Sequence, residues 1–234
     1  MQALLLAGGL GLRLRSIIND RPKPMALIEG KPFLEYVIKE LYNNNIKDII
    51  IAVGYKGSMI EEYFKDGSSY GMNIKYSYEE TQLGTAGAIK NALNLITSNE
   101  FFVLNADTFY KVDYKKLYEV HKELNAEMTL VLRRVEDISR YGQALLENKR
   151  LILFNEKAQE KKCGTINGGI YLINKAILSY IPDGKVSLEN DIIPKLLNEG
   201  IMIAGLEENG YFIDIGIPED YYRFIENVNG GKVK

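Results

Sequence analysis

Short apolar runs rich in β-branched and aromatic residues alternate along this chain with longer stretches of helical periodicity. The runs cover residues 3–7, 49–53, 101–104, 128–132, 169–173 and 201–204. Such alternation is typical of βαβ units, which place parallel strands in one sheet with helices on both faces. The runs at 49–53 and 101–104 are apolar at every position, as expected for central strands that are covered on both sides. The pattern predicts an α/β fold with a mostly parallel central sheet.

The composition is that of a folded protein with one sizeable core. The chain has 234 residues, of which 46% are hydrophobic and 26% are charged. The sequence contains neither a linker-like segment nor a repeat, so we expect a single domain over residues 1–228 and a frayed tail at 229–234. The polar, irregular stretch from about residue 133 to residue 162 is expected to form hairpins or loops over a cleft.

Charge and cysteine content exclude several classes of function. Lys and Arg number 29 against 31 Asp and Glu, and the net charge of -2 argues against non-specific binding to nucleic acid or an anionic membrane. One cysteine, Cys163, and one histidine, His121, cannot form a zinc site or an intrachain disulfide. Because no apolar run approaches the roughly 18 residues of a membrane span, we expect a cytoplasmic protein without nucleic-acid or membrane partners.

The first predicted strand ends in a glycine-rich loop that is followed by a cation. The relevant residues are Ala7, Gly8, Gly9, Gly11 and Arg13. Glycines at a strand end let backbone N–H groups approach phosphate oxygens closely. The loop is not a P-loop, because the chain contains no Gly-Lys-Ser or Gly-Lys-Thr, and it is not a dinucleotide fingerprint, because the third glycine position holds Leu14.

A lysine between two prolines follows this loop. Pro22 and Pro24 restrict the backbone on both sides of Lys23. A fixed lysine and an arginine beside a glycine loop together indicate a polyphosphate site, with Arg13 and Lys23 as the candidate catalytic cations.

Two aspartates stand at the ends of apolar runs. Asp107 follows the run at 101–104, and Asp214 closes a run of large apolar residues. Ligands of open α/β sheets bind at the carboxyl ends of the strands, and Mg²⁺ is usually held by one or two carboxylates together with substrate phosphates. Asp107 and Asp214 are therefore the candidate metal ligands, and Mg²⁺ is the expected cofactor.

The glycine loop together with Pro22, Lys23, Pro24 and Met25 resembles the signature of the sugar-1-phosphate nucleotidylyltransferases. The resemblance implies a Rossmann-like fold of the nucleotide-diphospho-sugar transferase type, with a nucleotide-binding half at about 1–110 and a sugar-phosphate-binding half at about 111–228. It also implies that a sugar 1-phosphate attacks the α-phosphorus of an NTP, releasing pyrophosphate without a protein nucleophile. We assign Arg13 to the leaving β- and γ-phosphates, and Lys23 to the α-phosphate and the sugar phosphate.

The resemblance also implies binding residues for the two substrates. For the nucleotide, these are the loop residues together with Glu79, Gln82, Gly84 and Thr85, where Glu79 and Gln82 are candidate readers of the base edge. For the sugar phosphate, they are Gly142, Glu156, Lys157 and Asn167.

The choice of substrates is less constrained by the sequence. The segment at 187–191 resembles one in guanylyl-transferring members, which favours GTP, and residues 167–171 and 211–222 resemble short members that act on a heptose 1-phosphate for surface polysaccharide synthesis. Guanylyl transfer to mannose 1-phosphate stays open, as does the use of UTP, CTP or dTTP with another sugar phosphate. A catalytically silent regulatory subunit is the alternative from a different class, and the state of oligomerisation, monomer or homodimer, is also open.

Overall fold

The computed structural model describes residues 1–14, 17–139, 141–156 and 161–233. Its strands are β1 Gln2–Leu6, β2 Leu27–Ile28, β3 Lys31–Pro32, β4 Asp48–Val53, β5 Asn73–Tyr78, β6 Glu100–Asn105, β7 Thr108–Tyr110, β8 Met128–Val135, β9 Gln143–Glu147, β10 Arg150–Asn155, β11 Gly164–Asn174, β12 Ile203–Glu207 and β13 Phe212–Asp214. Its α-helices are α1 Phe33–Asn43, α2 Gly57–Phe64, α3 Gly84–Asn91, α4 Tyr114–Glu123, α5 Ile193–Asn198 and α6 Pro218–Asn229. A π-helical turn, Leu188–Ile192, leads directly into α5.

One large sheet forms the centre of the molecule. Within the described ranges it has nine strands in the order β5-β4-β1-β6-β11-β8-β12-β10-β9. The pairs along β5, β4, β1 and β6 are parallel, as is β8 with β12, whereas β11 runs antiparallel to β6 and β8, and β10 runs antiparallel to β12 and β9. Most of the described strands therefore point the same way, and the predicted α/β fold with a mostly parallel sheet is confirmed.

Both faces of the sheet are covered, as the all-apolar strands predict. Leu4 and Leu5 of β1 are fully buried but belong to opposite faces, because neighbouring side chains of a strand point in opposite directions. Helices α1, α2, α4 and α6 pack on the face of Leu5, and α3 and α5 pack on the face of Leu4. The glycine loop that follows β1 is thereby placed at the carboxyl end of an interior strand, between two helical layers.

Helix α1 illustrates how periodicity gives packing. Leu34, Val37, Ile38 and Leu41 lie on one side of the helix and are all buried. Each such side chain contributes roughly 1.5–3 kcal/mol on burial, so this face holds the helix on the sheet. The helix begins at Phe33, directly after Pro32, which stands at the N-cap position and makes no side-chain capping hydrogen bond.

Two short strands bring the predicted acidic residues together. β7 follows β6 directly and pairs with β13 in an antiparallel ladder in which Thr108 lies opposite Asp214. The ladder continues past its end, where the Ile215 N–H donates to the Asp107 carbonyl at 3.1 Å. Residues that are distant in sequence are in this way fixed side by side at the carboxyl end of β6.

The stretch expected to form hairpins does so in its described part. β9 and β10 pair as an antiparallel hairpin at the edge of the sheet. Gly142 precedes this hairpin and Glu156 follows it, so both lie at the same end, over the cleft.

The carboxyl terminus differs from the expected frayed tail. Asn229 is the last residue of α6, the Lys232 N–H donates to the Asn227 carbonyl at 2.9 Å, and Val233 is 2% exposed within the core. The apolar Val233 side chain holds this segment on the protein, a signal that the two glycines before it obscure. In the part of the chain that the structure describes, no helix combines the length and apolar character needed to cross a membrane.

Candidate active site

The ammonium of Lys23 lies between the two predicted metal ligands. Its Nζ is 2.7 Å from Oδ2 of Asp107 and 3.2 Å from Oδ1 of Asp214. The Lys23 side chain is only 8% exposed, against 38% for Asp107 and 22% for Asp214. The three groups form a partly buried charge cluster whose carboxylates face the cleft.

The pKa values in this cluster follow from burial and mutual charge. Burial alone would lower the pKa of Lys23, but the two carboxylates outweigh it and raise the pKa above 10.5. Burial would likewise raise the pKa of Asp107, yet the charge and hydrogen bond of Lys23 lower it below 3.8. For Asp214, burial and the charge of Asp107 raise the pKa, against the opposing effect of Lys23 and Arg13. Lys23 is therefore cationic and Asp107 anionic at neutral pH.

This arrangement fits a divalent cation. Two carboxylates converge at the ends of β6 and β13, and they already hold a positive charge, the ammonium of Lys23. Oxygen ligands of this kind suit a hard cation that takes further ligands from water and substrate phosphates. In the described ranges, no group of three or more His, Cys, Asp or Glu could form a metal site from protein side chains alone. Asp107 and Asp214 are thus the residues that could hold the ion.

The glycine loop passes close to other site residues. A Cβ on Gly8 would collide with the Glu79 carboxylate, and a Cβ on Gly11, whose φ is +59°, would come within 3.0 Å of Lys23 Cβ. Gly8 therefore allows contact with Glu79, and Gly11 allows the loop to pack on Lys23. Ala7 is buried, and its N–H donates to the Ala52 carbonyl at 2.8 Å.

A cavity of about 410 Å³ lies beside this loop. Of the residues predicted to bind the nucleotide, it is lined by Gly8, Gly9, Glu79, Gln82, Gly84 and Thr85. Asp107 lines it as well, which joins the cavity to the charge cluster. Burial raises the pKa of Glu79, one oxygen of which accepts a hydrogen bond from the Leu83 N–H at 3.3 Å.

The first turn of α3 is held by a neighbouring segment. The N–H groups of Ala86 and Gly87 donate to the Val186 carbonyl at 3.0 and 3.2 Å, so these two donors are not available to a ligand. Gly84 has φ +71°, and a Cβ there would lie 2.5 Å from the same carbonyl oxygen. The predicted residue Thr85 is also committed, because its hydroxyl donates to Glu189 at 2.6 Å and accepts from the Leu188 N–H at 2.7 Å.

A second cavity, of about 230 Å³, adjoins the first. Of the predicted residues, it is lined by Arg13, Gly142, Glu156 and Asn167, together with Asp107 and Asp214. Gly142 is needed there for packing, since a Cβ would come within 2.7 Å of the Asn155 carbonyl oxygen. Asp107 lines both cavities, so the charge cluster sits where they meet.

The structure places Arg13 at the second cavity. Arg13 lines the second cavity, beside the sugar-phosphate residues, and its charge acts on Asp214. Arg13 thereby lies near Asp214 of β13, a proximity between distant segments that the sequence does not reveal. Lys157, the second cation predicted for the sugar phosphate, lies outside the described residues.

Sequence reasoning missed several residues that line these cavities. Asn105 lines both of them, Lys185 lines the first and Glu189 lines the second. Asn105 could have been found from its position at the end of β6, two residues before Asp107. Glu189 lies within the segment 187–191, which the sequence linked only to the choice of base, but it is 8% exposed and accepts hydrogen bonds from three hydroxyls.

Comparison with known proteins agrees with this geometry. The sequence pattern of the family described as "Nucleotidyl transferase" matches residues 2–230. The chain belongs to the nucleotidyl transferase family. The family pattern covers both cavities and the charge cluster between them, so the whole candidate site lies within it.

Two relatives match this nucleotidyltransferase over nearly their full length. It is 45% identical over 231 residues to a D-glycero-alpha-D-manno-heptose 1-phosphate guanylyltransferase of Campylobacter jejuni, covering 97% of this chain and 100% of that one. It is 43% identical over 223 residues to the protein of the same name from Aneurinibacillus thermoaerophilus, covering 94% and 95%. Among solved structures, HddC from Yersinia pseudotuberculosis complexed with GMP-PN superposes with a TM-score of 0.85 at 36% identity, covering 97% and 99%.

Proposed function

We propose that this nucleotidyltransferase moves a guanylyl group from GTP to a sugar 1-phosphate, with a heptose 1-phosphate as the favoured acceptor and Mg²⁺ as the metal. The products are pyrophosphate and a GDP-sugar for surface polysaccharide synthesis. The observation that carries the proposal is the position of Asp107, which lines both a 410 Å³ and a 230 Å³ cavity. A transfer between two bound phosphate esters needs such a junction, and the names of the relatives support the choice of substrates.

The first cavity suits guanine because of Glu79. An ionised carboxylate only accepts hydrogen bonds, and guanine offers it two adjacent donors, N1–H and the exocyclic amine. The other common bases do not present two adjacent hydrogen-bond donors on their Watson–Crick edge. We therefore assign Glu79, which lines the cavity, to the guanine edge. Gln82, exposed at the rim, is assigned to the base or ribose beside it.

The second cavity suits a sugar 1-phosphate because it combines a cation with polar side chains. Arg13 supplies positive charge, and Glu156 and Asn167 supply groups that can pair with hydroxyls. This position favours Arg13 as a ligand of the sugar phosphate or α-phosphate, in place of the β- and γ-phosphates. We accordingly propose that residues up to about 110 bind the nucleotide and that later residues bind the sugar phosphate.

The chemical step needs charge neutralisation and alignment and no protein nucleophile. A phosphate oxygen of the sugar 1-phosphate forms a bond to the α-phosphorus as the bond to the β-phosphate oxygen breaks, and pyrophosphate leaves with the electron pair. A sugar phosphate is already largely ionised near pH 7, so positioning two polyanions in line is the main task. Arg13 and Lys23 offset the negative charge of the reacting phosphates.

Asp107 and Asp214 are the residues that would hold the metal. When bound, Mg²⁺ supplies positive charge to phosphate oxygens, which lowers the cost of the charge that develops during transfer. In the structure the Lys23 ammonium pairs with the two carboxylates. When substrate phosphates are bound, it can pair with their oxygens instead, so we assign Lys23 to the phosphates in the substrate complex.

The proposal is tested by pyrophosphate release in the presence of Mg²⁺. GTP, CTP, UTP, dTTP and ATP are each paired with heptose, mannose, glucose and N-acetylmuramate phosphates, and Asp107→Asn serves as the control for contaminating activity. Release only with GTP and the heptose phosphate is the expected result. Preference for another pair would support the same transfer reaction but would change the assigned nucleotide or sugar phosphate. Silence across the panel without nucleotide binding would favour the regulatory subunit instead.

A further inference from the structure

Glu189 has the environment of a prepared ligand-binding carboxylate. It is 8% exposed, and its residual surface lines the second cavity. Its Oε2 accepts hydrogen bonds from the hydroxyls of Thr85 at 2.6 Å and Ser187 at 3.0 Å, and its Oε1 accepts one from the Tyr171 hydroxyl at 3.0 Å. Burial of a carboxylate is costly unless it is compensated, and here three hydroxyl donors compensate it.

The donors around Glu189 are themselves fixed. Tyr171 is fully buried and receives a hydrogen bond from the Asn167 amide at 2.6 Å. Burial, and then the charge of Glu189, raise the pKa of Tyr171 well above 10.0, which keeps its hydroxyl protonated as a donor. The Thr85 hydroxyl also accepts from the Leu188 N–H, which fixes its direction. The orientation of the carboxylate is therefore set before any ligand arrives.

The local backbone points to the same conclusion. Glu189 lies in the π-helical turn Leu188–Ile192, a form that is rare and that frequently marks functional sites. Ser187 caps this turn by accepting from the Asn190 N–H at 3.0 Å. An ordinary helix start would need neither the wider turn nor the three hydroxyls that it places around one carboxylate.

The hydrogen-bonding capacity that is left on the Glu189 carboxylate defines what it can bind. A carboxylate has about four lone-pair positions, and the described residues use three of those on Glu189, two on Oε2 and one on Oε1. The position that is left on Oε1 suits one further hydrogen-bond donor. A phosphate is repelled by the negative charge, whereas a sugar hydroxyl is a neutral donor of the right kind.

We propose that Glu189 is a specificity-determining residue that accepts a hydrogen bond from one ring or side-chain hydroxyl of the acceptor sugar. The proposal rests on the proposed function, since the second cavity must bind a sugar 1-phosphate. Thr85, Ser187 and Tyr171 are positioning residues that hold the carboxylate. Although Thr85 lines the nucleotide cavity, its hydroxyl serves the sugar side through Glu189.

The test combines Glu189→Gln with deoxy analogues of the accepted sugar 1-phosphate. Glu189→Gln should raise KM for the sugar phosphate by about tenfold or more, the range expected for a lost hydrogen bond to a charged group, while KM for GTP changes less than about twofold. In the wild type, removal of one particular hydroxyl should raise KM similarly, and in Glu189→Gln the same removal should have little further effect. Glu199→Gln, on the exposed end of α5, is the matched control.

Thr85→Val provides a second route if Glu189→Gln does not fold. It removes one hydroxyl and retains the shape, and it should raise KM for the sugar phosphate more than KM for GTP. An equal cost for every deoxy analogue in wild type and Glu189→Gln, or a larger effect of Thr85→Val on GTP, would overturn the assignment of Glu189 while guanylyl transfer stands. Failure of the wild type to use any sugar 1-phosphate would instead overturn the proposed function, and this inference with it.

Discussion

Replacement of Lys23 by Met should make the nucleotide-free protein bind divalent metal more tightly. The ammonium lies 2.7 Å from Asp107 Oδ2 and 3.2 Å from Asp214 Oδ1, where it competes with any other cation for the same two carboxylates. Unit charges 4 Å apart interact by about 4 kcal/mol at an effective dielectric constant of 20. Exposure of the Asp107 side chain, at 38%, weakens this interaction through solvent screening. We expect the metal dissociation constant to fall by roughly tenfold to a hundredfold, since about 1.4 kcal/mol corresponds to tenfold.

The assay is titration of the nucleotide-free protein with Mn²⁺, with the free ion detected by electron paramagnetic resonance. Wild type and Lys23→Met are compared, and Lys39→Met, which removes an exposed lysine of α1, is the matched control. The gain in affinity should disappear in Lys23→Met/Asp107→Asn. Equal affinity of wild type and Lys23→Met, or a gain that survives Asp107→Asn, would refute the competition.

Three further predictions concern single residues. Gly84→Ala should lower the free energy of unfolding by roughly 1–3 kcal/mol in urea, because φ is +71° and the new Cβ would lie 2.5 Å from the Val186 carbonyl oxygen. Gly30→Ala is the control, since Gly30 has φ +79° but open space around it. It measures the backbone cost alone and should lower the free energy of unfolding by less. His121 is buried, its Nδ1 lies 2.8 Å from the Thr129 hydroxyl, and burial lowers its pKa below 6.5. The neutral imidazole therefore contributes to stability above pH 6.5, and this contribution is lost as the pH falls from 6.5 towards the pKa of the folded protein. His121→Asn should flatten that acid limb in unfolding measurements between pH 7 and 5, and an unchanged slope would contradict the argument. Glu79→Gln should reduce the preference for GTP over UTP in kcat/KM by about tenfold or more, and an unchanged preference would remove Glu79 from base recognition.

The fold was predictable because its signals are local. The apolar runs at 49–53 and 101–104 correspond to β4 and β6, and the helical spacing after Pro32 corresponds to α1. The candidate metal ligands could also be proposed from local context, since Asp107 follows an apolar strand and Asp214 ends one. These features depend on which side chains are buried, and a residue pattern reports burial directly.

Features that arise from contacts between distant segments were not predictable in this way. The N–H groups of Ala86 and Gly87, in the first turn of α3, donate to the carbonyl of Val186, about 100 positions further along the chain. These two donors at the start of the helix are therefore already used within the protein. Glu189 has the sequence position of an ordinary helix-capping acid. Only the approach of Thr85 and Tyr171, from α3 and β11, turns it into a part of the cavity wall.

The short ladder between β7 and β13 makes the proposed cation site depend on a strand that is synthesised late. Asp107 leaves the ribosome long before Asp214, and only the pairing of Thr108 with Asp214 brings the second carboxylate to the first. A nascent or truncated chain that ends before β13 contains the glycine loop, Lys23 and the described residues that line the first cavity, yet it lacks Asp214. The proposed cation site is thereby complete only once β13 has been synthesised and has paired with β7.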